Sequence, residues 1–333
     1  MSGTFSNVVV SIIIVNYRSW HHLEGCLQAL TVIESKQISP EIIVVDNYSA
    51  DGNLTIFSDR FPRVQFIKNT GNNGFANGCN VGAKKSKGVY LLFLNPDTVA
   101  NGTVIKKFIA FAKKYKNAGV VSCHQKNPNG HYEKTVRVFP NLFTLFGLTR
   151  AIYRKVYKSK IKNQYLGEQV VCPDWVSGSV IFMSRSWYTQ VKGWNEAYWM
   201  YYEDVDLCKR VQEANGDIVL LKDVEMIHNH GGASRLNIKT AAITKTEVLI
   251  SKHVYISNRF RGLHNFLSQL LVIVNNLIFK TVLASFGIIF FFIPKLRLNL
   301  YIYLKLMTYY MHAVIRKTWL SKRSIKYMKQ LNA

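Results

Sequence analysis

Three stretches of the chain are continuously apolar, rich in β-branched residues, and each closes on a polar side chain. They are "VVVSIIIV" (8 to 15) followed by Asn16, "EIIVVDN" (41 to 47) with Asp46, and "VYLLFLNPD" (89 to 97) ending at Asp97. A strand without polar alternation is buried on both faces, as in a parallel sheet covered by helices. "VQFIKN" (64 to 69) predicts a further strand. Helices are predicted over 74 to 86, over 101 to 115, and over 19 to 32, where Ser19 is a candidate cap and Leu23, Cys26, Leu27 and Leu30 recur at helical spacing. Strands alternating with helices imply right-handed crossovers and an α/β fold built on a mostly parallel sheet. Such sheets bind ligands beyond the carboxyl ends of their strands. Asn16, Asp46 and Asp97 are the polar groups delivered to that edge.

Each of these groups has a chemical and a purely structural reading. Asp46, in "VVDNYSADG", either accepts hydrogen bonds from a nucleobase or ribose, or closes an Asx turn or helix cap. Asp97, aimed by the fixed φ of Pro96, either holds Mg²⁺ or Mn²⁺ against a diphosphate or caps the helix that starts near Asn101. The stretch 69 to 88 holds five glycines and five asparagines, able to bring backbone and amides close to a ligand. It lacks GxxxxGK[ST], and no GxGxxG follows the first strand, which excludes a P-loop NTPase and a dinucleotide-binding dehydrogenase.

"AYWMYYEDVDLCKRVQEANGD" (197 to 217) predicts a helix from 203 to 214 with Asp204 on the face of Cys208 and Val211. Asp206 falls with Lys209, Arg210 and Glu213, as a solvated partner for Arg210. Beside Trp199, Tyr201 and Tyr202, the inward Asp204 is either a cap or a general base. His228 and His230 in "MIHNHGG" are either imidazoles completing a metal shell or surface histidines. In "DWVSGSVIF", Trp175 offers a flat face to a sugar, or packs in the core, and Ser177 offers a hydroxyl.

The charge is lopsided. Net charge is +24, and from residue 241 onward 14 Lys and Arg stand against one acid, Glu247. A basic tail suits nucleic acid or an anionic membrane, and its bulky apolar runs favour the membrane. Its uncharged runs, 265 to 279 and 281 to 294, are each shorter than the roughly 20 residues that span a bilayer. They predict an interfacial helical tail, with a hairpin dipping into lipid or a packed helical subdomain as alternatives. Five cysteines without a CxxC suit reduced thiols in a cytoplasmic protein. The N-terminal apolar run has no positive charge before it, so no signal peptide is expected. Residues 124 to 169, basic and turn-rich, read as an acceptor-side insertion.

Taken in order, "SIIIVNYRS", "VVDNYSADG", "NxGNxGFAxGxNxG", "LFLNPDT", "WVSGS", "EDVDL" and "HNHGG" resemble the family 2 glycosyltransferases of the GT-A fold, in particular a bacterial rhamnosyltransferase-like branch that builds surface polysaccharides such as O-antigen or capsule. The resemblance covers roughly residues 8 to 235 and implies a catalytic domain over 1–240, while the composition of 241–333 predicts a membrane-associating helical extension. It implies that Asn16, Tyr17, Asp46, Asn47, Ser49, Asn73, Phe75, Ala76, Asn77, Asn80, Asn95, Pro96 and Asp97 surround a nucleoside-diphosphate sugar. It places Trp175, Ser177, Gly178 and Glu203 around the transferred sugar and acceptor, Asp204 as catalytic base, and Asp97 with His228 at Mg²⁺ or Mn²⁺. It further implies an inverting transfer from dTDP-rhamnose or a UDP-sugar, and the basic, apolar tail suits a lipid-linked oligosaccharide or polysaccharide acceptor at the cytoplasmic face of the cell membrane. An inactive homologue that binds glycan or partners is the alternative class. Asn95 stands where the family's DxD element has its first aspartate, Tyr48 where a small residue is common, and "GWNE" (193 to 196) where Gly-Phe-Asp-Glu is commoner.

Overall fold

The computed structural model describes residues 9–33, 40–133, 137–145, 149, 152–153, 169–229 and 237–331. Two compact units divide the chain. One comprises residues 1–139, 154–195 and 204–232, and the other residues 140–153, 196–203 and 233–333. The expected insertion over 124 to 169 falls in part outside the described residues, as do His230, Gly231 and Gly232.

The first unit is built on β1 (Val10–Asn16), β2 (Glu41–Asp46), β3 (Gln65–Lys68), β4 (Tyr90–Leu94), β5 (Thr98–Val99), β6 (Ala118–Lys126), β7 (Val170–Val171), β8 (Val180–Ser184) and β9 (Asp217–His228). They form one sheet in the order β3-β2-β1-β4-β8-β6-β9-β5, with β7 paired to β9. The first four strands of that order are parallel. β8 runs antiparallel between β4 and β6, and β6 is parallel to β9. Register aligns the working edge: Asn16 lies opposite Asp46, Leu94 opposite Val180, and Thr98 opposite His228.

Helices α1 (Trp20–Thr31), α2 (Asn53–Arg60), α3 (Phe75–Lys85), α4 (Gly102–Lys114), α5 (Arg185–Gln190) and α6 (Glu203–Glu213) accompany the sheet. α1 buries Trp20, Leu23, Cys26, Leu27 and Leu30, as the spacing predicts, although Ser19 makes no side-chain capping bond. α3 lies tight on β1: a Cβ at Gly78 would meet Val15 Cγ1 at 2.6 Å, and one at Gly82 would meet Ile13 Cγ2 at 2.5 Å. These two glycines therefore serve helix–sheet packing rather than approach to a ligand. Asn101 caps α4, its Oδ1 accepting from the Val104 N–H at 3.0 Å, so the capping reading of Asp97 does not hold. Cys26, Cys79, Cys123 and Cys208 are buried, and none of the five cysteines is in a disulfide.

The second unit contains α7 (Ile238–Arg259), α8 (Gly262–Ile289), α9 (Pro294–Arg316) and α10 (Ile325–Leu331). The two apolar runs expected to be separate are joined through Lys280 into α8, a helix of 28 residues with mean hydropathy 1.8 over its most apolar window. At 1.5 Å per residue it is about 42 Å long, sufficient to cross a bilayer by length. A single lysine does not interrupt a helix, because its stem packs while its ammonium reaches outward. Within this unit His253 is fully buried, bonded to Gln269 and Tyr310 and stacked 5.0 Å from Trp319.

Candidate active site

Asn16, at the end of β1, is fully buried. Its Oδ1 accepts from the Ser19 N–H at 3.3 Å, while its Nδ2 has no hydrogen-bond partner among the described residues. A buried amide donor without a partner costs about 1–3 kcal/mol, which a ligand acceptor would recover. Opposite it, both oxygens of Asp46 accept from the Ser49 N–H, at 3.2 and 3.1 Å, and one also accepts from Ser49 Oγ. The Asx turn is therefore formed. Burial pushes the Asp46 carboxyl above its ordinary range despite these bonds. Arg18 fastens the same turn through Ser49, with its guanidinium 5.5 Å from the half-buried Tyr17 ring.

Amide side chains tie this edge together. Asn69 donates to Asn47 Oδ1 and to Asn77 Oδ1, both at 2.9 Å, and Asn47 donates to Asn72 Oδ1 and to the Gly74 carbonyl. Asn73 donates to Thr70 Oγ1 at 3.2 Å.

Asp97 lies just past β4, fastened through its carbonyl by the Asn229 N–H at 2.8 Å. Its Oδ1 is 3.2 Å from Nε2 of the buried His228, whose Nδ1 is 3.0 Å from Glu133 Oε1. Burial favours the neutral carboxyl of Asp97, but the hydrogen bond and charge of His228 outweigh it and hold the group below its usual range. Burial likewise opposes charge on His228, yet Asp97 and Glu133 raise its pKa. A carboxylate oxygen and an imidazole nitrogen converging in this way are a donor pair for a divalent cation. Among the described residues no cluster of three or more His, Cys, Asp or Glu is placed to hold a metal.

Asp204 sits in the first turn of α6. Its Oδ2 accepts from the Gly178 N–H at 2.9 Å and its Oδ1 from the Val205 N–H at 2.8 Å. Burial raises its pKa, against these two N–H groups and the charge of Arg137. A carboxylate held in one orientation, with elevated basicity, at the edge that carries Asn16, Asp46 and Asp97 is placed to receive a proton. A family model described as glycosyl transferase family 2 matches residues 11–178, and thereby spans half of the chain.

The chain belongs to glycosyl transferase family 2.

A second model, described as the N-terminal domain of galactosyltransferase, matches residues 151–230. This glycosyltransferase is 26% identical over 237 residues to the N-acetylglucosaminyl-diphospho-decaprenol L-rhamnosyltransferase of Mycobacterium tuberculosis, covering 66% of this chain and 76% of the relative. To Rhamnosyltransferase WbbL of Escherichia coli it is 27% identical over 140 residues, or 42% of this chain and 52% of the relative. The crystal structure of GalNAc-T7 with UDP, GalNAc and Mn²⁺ superposes at a TM-score of 0.52 and 13% identity, covering 76% of this chain. This chain spans 51% of that longer one. The likeness is one of fold.

Several residues expected at the site of this glycosyltransferase are committed elsewhere. The Asn80 amide donates to the Trp194 carbonyl and accepts from the Trp194 N–H and the Tyr188 hydroxyl, and so braces the 193–195 turn. Ala76 is fully buried, and Phe75 meets Trp194 edge-on at 5.5 Å. Trp175 donates its indole N–H to the Val138 carbonyl and carries the Arg137 guanidinium 4.8 Å from its ring centre, which occupies one face a sugar could have used. Ser177 Oγ lies 3.1 Å from Ser179 Oγ. Asn95 and Pro96 form the turn before Asp97, the Asn95 N–H donating to the Ser179 carbonyl at 3.0 Å.

One further expectation is corrected. Asp206 is not solvated but fully buried, accepting from Arg210 Nε at 2.7 Å while Arg210 Nη1 donates to the Val191 and Gly193 carbonyls. Glu203, Trp199, Tyr201 and Tyr202 belong to the second unit. There the Tyr202 ring lies 5.7 Å from that of Tyr255. Glu133 and Arg137, which face His228 and Trp175, escape sequence reading because their partners lie far along the chain and no local spacing marks them.

Proposed function

We propose that this glycosyltransferase moves a sugar, with dTDP-rhamnose as the best-matched donor, to a hydroxyl of a lipid-linked oligosaccharide or polysaccharide with inversion at the anomeric carbon. The observation that carries the reading is the Asp204 carboxylate, oriented by Gly178 and Val205 and raised in basicity by burial. The names of the mycobacterial and Escherichia coli relatives support a rhamnosyl donor. Asp204 takes the proton from the acceptor hydroxyl as its oxygen bonds the anomeric carbon. The bond from that carbon to the diphosphate oxygen breaks with its electron pair, so nucleoside diphosphate leaves on the opposite face and no covalent enzyme intermediate forms. A positioned base of this kind contributes about 10²- to 10⁴-fold to the rate. Asn16 Nδ2 and the Asp46 turn hold the nucleoside end.

The residues present fit Mg²⁺ or Mn²⁺. Glu133 engages His228 Nδ1, which leaves Nε2 as the ligand nitrogen beside Asp97 Oδ1, and orienting a ligand histidine through its other nitrogen is the usual support of such sites. Bound there, the cation would neutralise charge on the departing diphosphate. The Mn²⁺ of the GalNAc-T7 structure accords with this choice. The basic, apolar second unit accords with peripheral or monotopic docking on the cytoplasmic face of an anionic membrane, where a lipid-linked acceptor resides.

The deciding experiment is a titration of dTDP, UDP and GDP against the full chain, with and without Mn²⁺ or Mg²⁺. Metal-dependent preference for dTDP is expected. Preference for UDP would overturn the rhamnosyl donor, and failure to bind any of the three would overturn the enzymatic reading.

A further inference from the structure

Inside the second unit, α7, α9 and the segment after α9 enclose a concavity of about 140 Å³. Its floor is polar and buried. Glu247 is 4% exposed; its Oε1 accepts from Ser321 Oγ at 2.9 Å, and its Oε2 has no hydrogen-bond partner among the described residues. His312, 8% exposed, bonds the Tyr327 hydroxyl through Nε2 and leaves Nδ1 without a partner among them. The rim is cationic, formed by exposed Lys305, Lys322 and Arg323, with Arg323 Nε 3.9 Å from Glu247 Oε1.

Three cations around buried polar atoms form a site for an anion with hydrogen-bonding oxygens, and phosphate is the one such groups hold best. The volume is well below the roughly 300–1,000 Å³ of pockets that enclose a drug-sized ligand, which suits a head group and excludes a second nucleotide sugar. The surroundings select a lipid. Along α9, Leu304, Met311 and Ile315 are 52%, 60% and 76% exposed and form the stripe next to the one that carries Lys305, Thr308 and His312 into the concavity. We propose that this concavity binds the phosphate-bearing head group of an anionic membrane lipid, with the phosphate on Lys305, Lys322 and Arg323 and the apolar stripe of α9 against the acyl region. Glu247 faces Lys305, Lys322, Arg323, His312 and Tyr309. Burial pushes its carboxyl to about 7, so in its acid form Oε2 donates to a phosphate oxygen, whereas in its ionised form it repels one.

The inference rests on membrane docking of the second unit, and the test separates the two. Full-length protein is co-sedimented with phosphatidylcholine vesicles with and without phosphatidylglycerol. Two exposed lysines outside the concavity, in Lys245→Gln/Lys326→Gln, supply the control for diffuse charge. Lys322→Gln/Arg323→Gln should weaken binding to phosphatidylglycerol vesicles about tenfold more than the control pair, since charge-assisted hydrogen bonds are lost as well as charge. Glu247→Gln should bind more tightly than the parent at pH 8, where the parent carboxylate is ionised. Equal losses in both pairs would reduce the concavity to diffuse charge and overturn the site while leaving membrane docking intact. Binding of glycerol 3-phosphate in solution together with equal binding to vesicles with and without phosphatidylglycerol would overturn the lipid in favour of a soluble phosphate. A parent that binds neither vesicle would overturn the docking reading and the site together.

Discussion

Gly178 donates its backbone N–H to Asp204 Oδ2 at 2.9 Å, and a Cβ on Gly178 would stand 3.3 Å from the Asp204 Cβ. The contact joins the turn before β8 to the first turn of α6. It orients Asp204 and leaves position 178 so close to it that a side chain there would press on the aspartate.

Asp204→Asn is expected to lower kcat by about 10²- to 10⁴-fold while the affinity for nucleoside diphosphate stays within twofold of the parent, measured by turnover and by calorimetry. Gly178→Val should lower kcat about tenfold or more through displacement of Asp204, again with little change in nucleotide affinity. Because burial raises the Asp204 pKa above 3.8 and the ionised form is the base, activity should rise with pH across a limb lying above that value. A loss of nucleotide affinity that matched the loss of turnover in both variants would contradict the assignment.

Glu133→Gln should weaken Mn²⁺ affinity about 10- to 100-fold without removing a metal ligand, because a neutral amide replaces the carboxylate that orients His228 and raises its basicity. Titration of the Mn²⁺ paramagnetic resonance signal reads this directly. Affinity equal to the parent would show that Glu133 has no part in the site.

Asp206→Asn leaves the Arg210 guanidinium, 20% exposed, without its buried counter-charge. The expected loss is about 3 kcal/mol, read as a lower urea midpoint. Nucleotide binding below the melting temperature should persist, since Arg210 and Asp206 brace the 191–193 turn rather than face the site edge.

Glu247 predicts a pH dependence of stability. Its pKa rises from 4.5 to about 7 on folding, so between those values the folded chain holds the proton that the unfolded chain has lost. Stability should therefore fall as pH rises from 4.5 to about 7 and level off above, by about 3 kcal/mol in all. Thermal melts of Glu247→Gln should be flatter over that window and higher at pH 8. A parent whose melting temperature is constant across it would refute the burial argument.

The sequence by itself determined the strands β1, β2 and β4, the helices α1, α3 and α4, and the polar residues Asn16, Asp46 and Asp97 that end the strands. Local periodicity records which faces are buried, and a strand buried on both faces must expose its chemistry at its end. Asp204 was legible for the same reason, as the inward member of an amphipathic helix start.

Only the tertiary structure decided which partners those residues take. The spacing of Asp206 and Arg210 is the same on a solvated helix as on a buried one, and it is the packing of the 191–193 turn that encloses the pair. The asparagines of the 69–80 stretch look alike in sequence, yet Asn80 is bound to Trp194 while Asn69 and Asn47 bond each other. Glu133 meets His228 only because the sheet places β9 beside β6, a pairing set by register between distant segments. Composition could count the cations of the C-terminal region, but only folding gathers Lys305, Lys322 and Arg323 around Glu247. Periodicity is a property of neighbours along the chain, whereas the partner of a buried charge is set by which distant segments the core brings together.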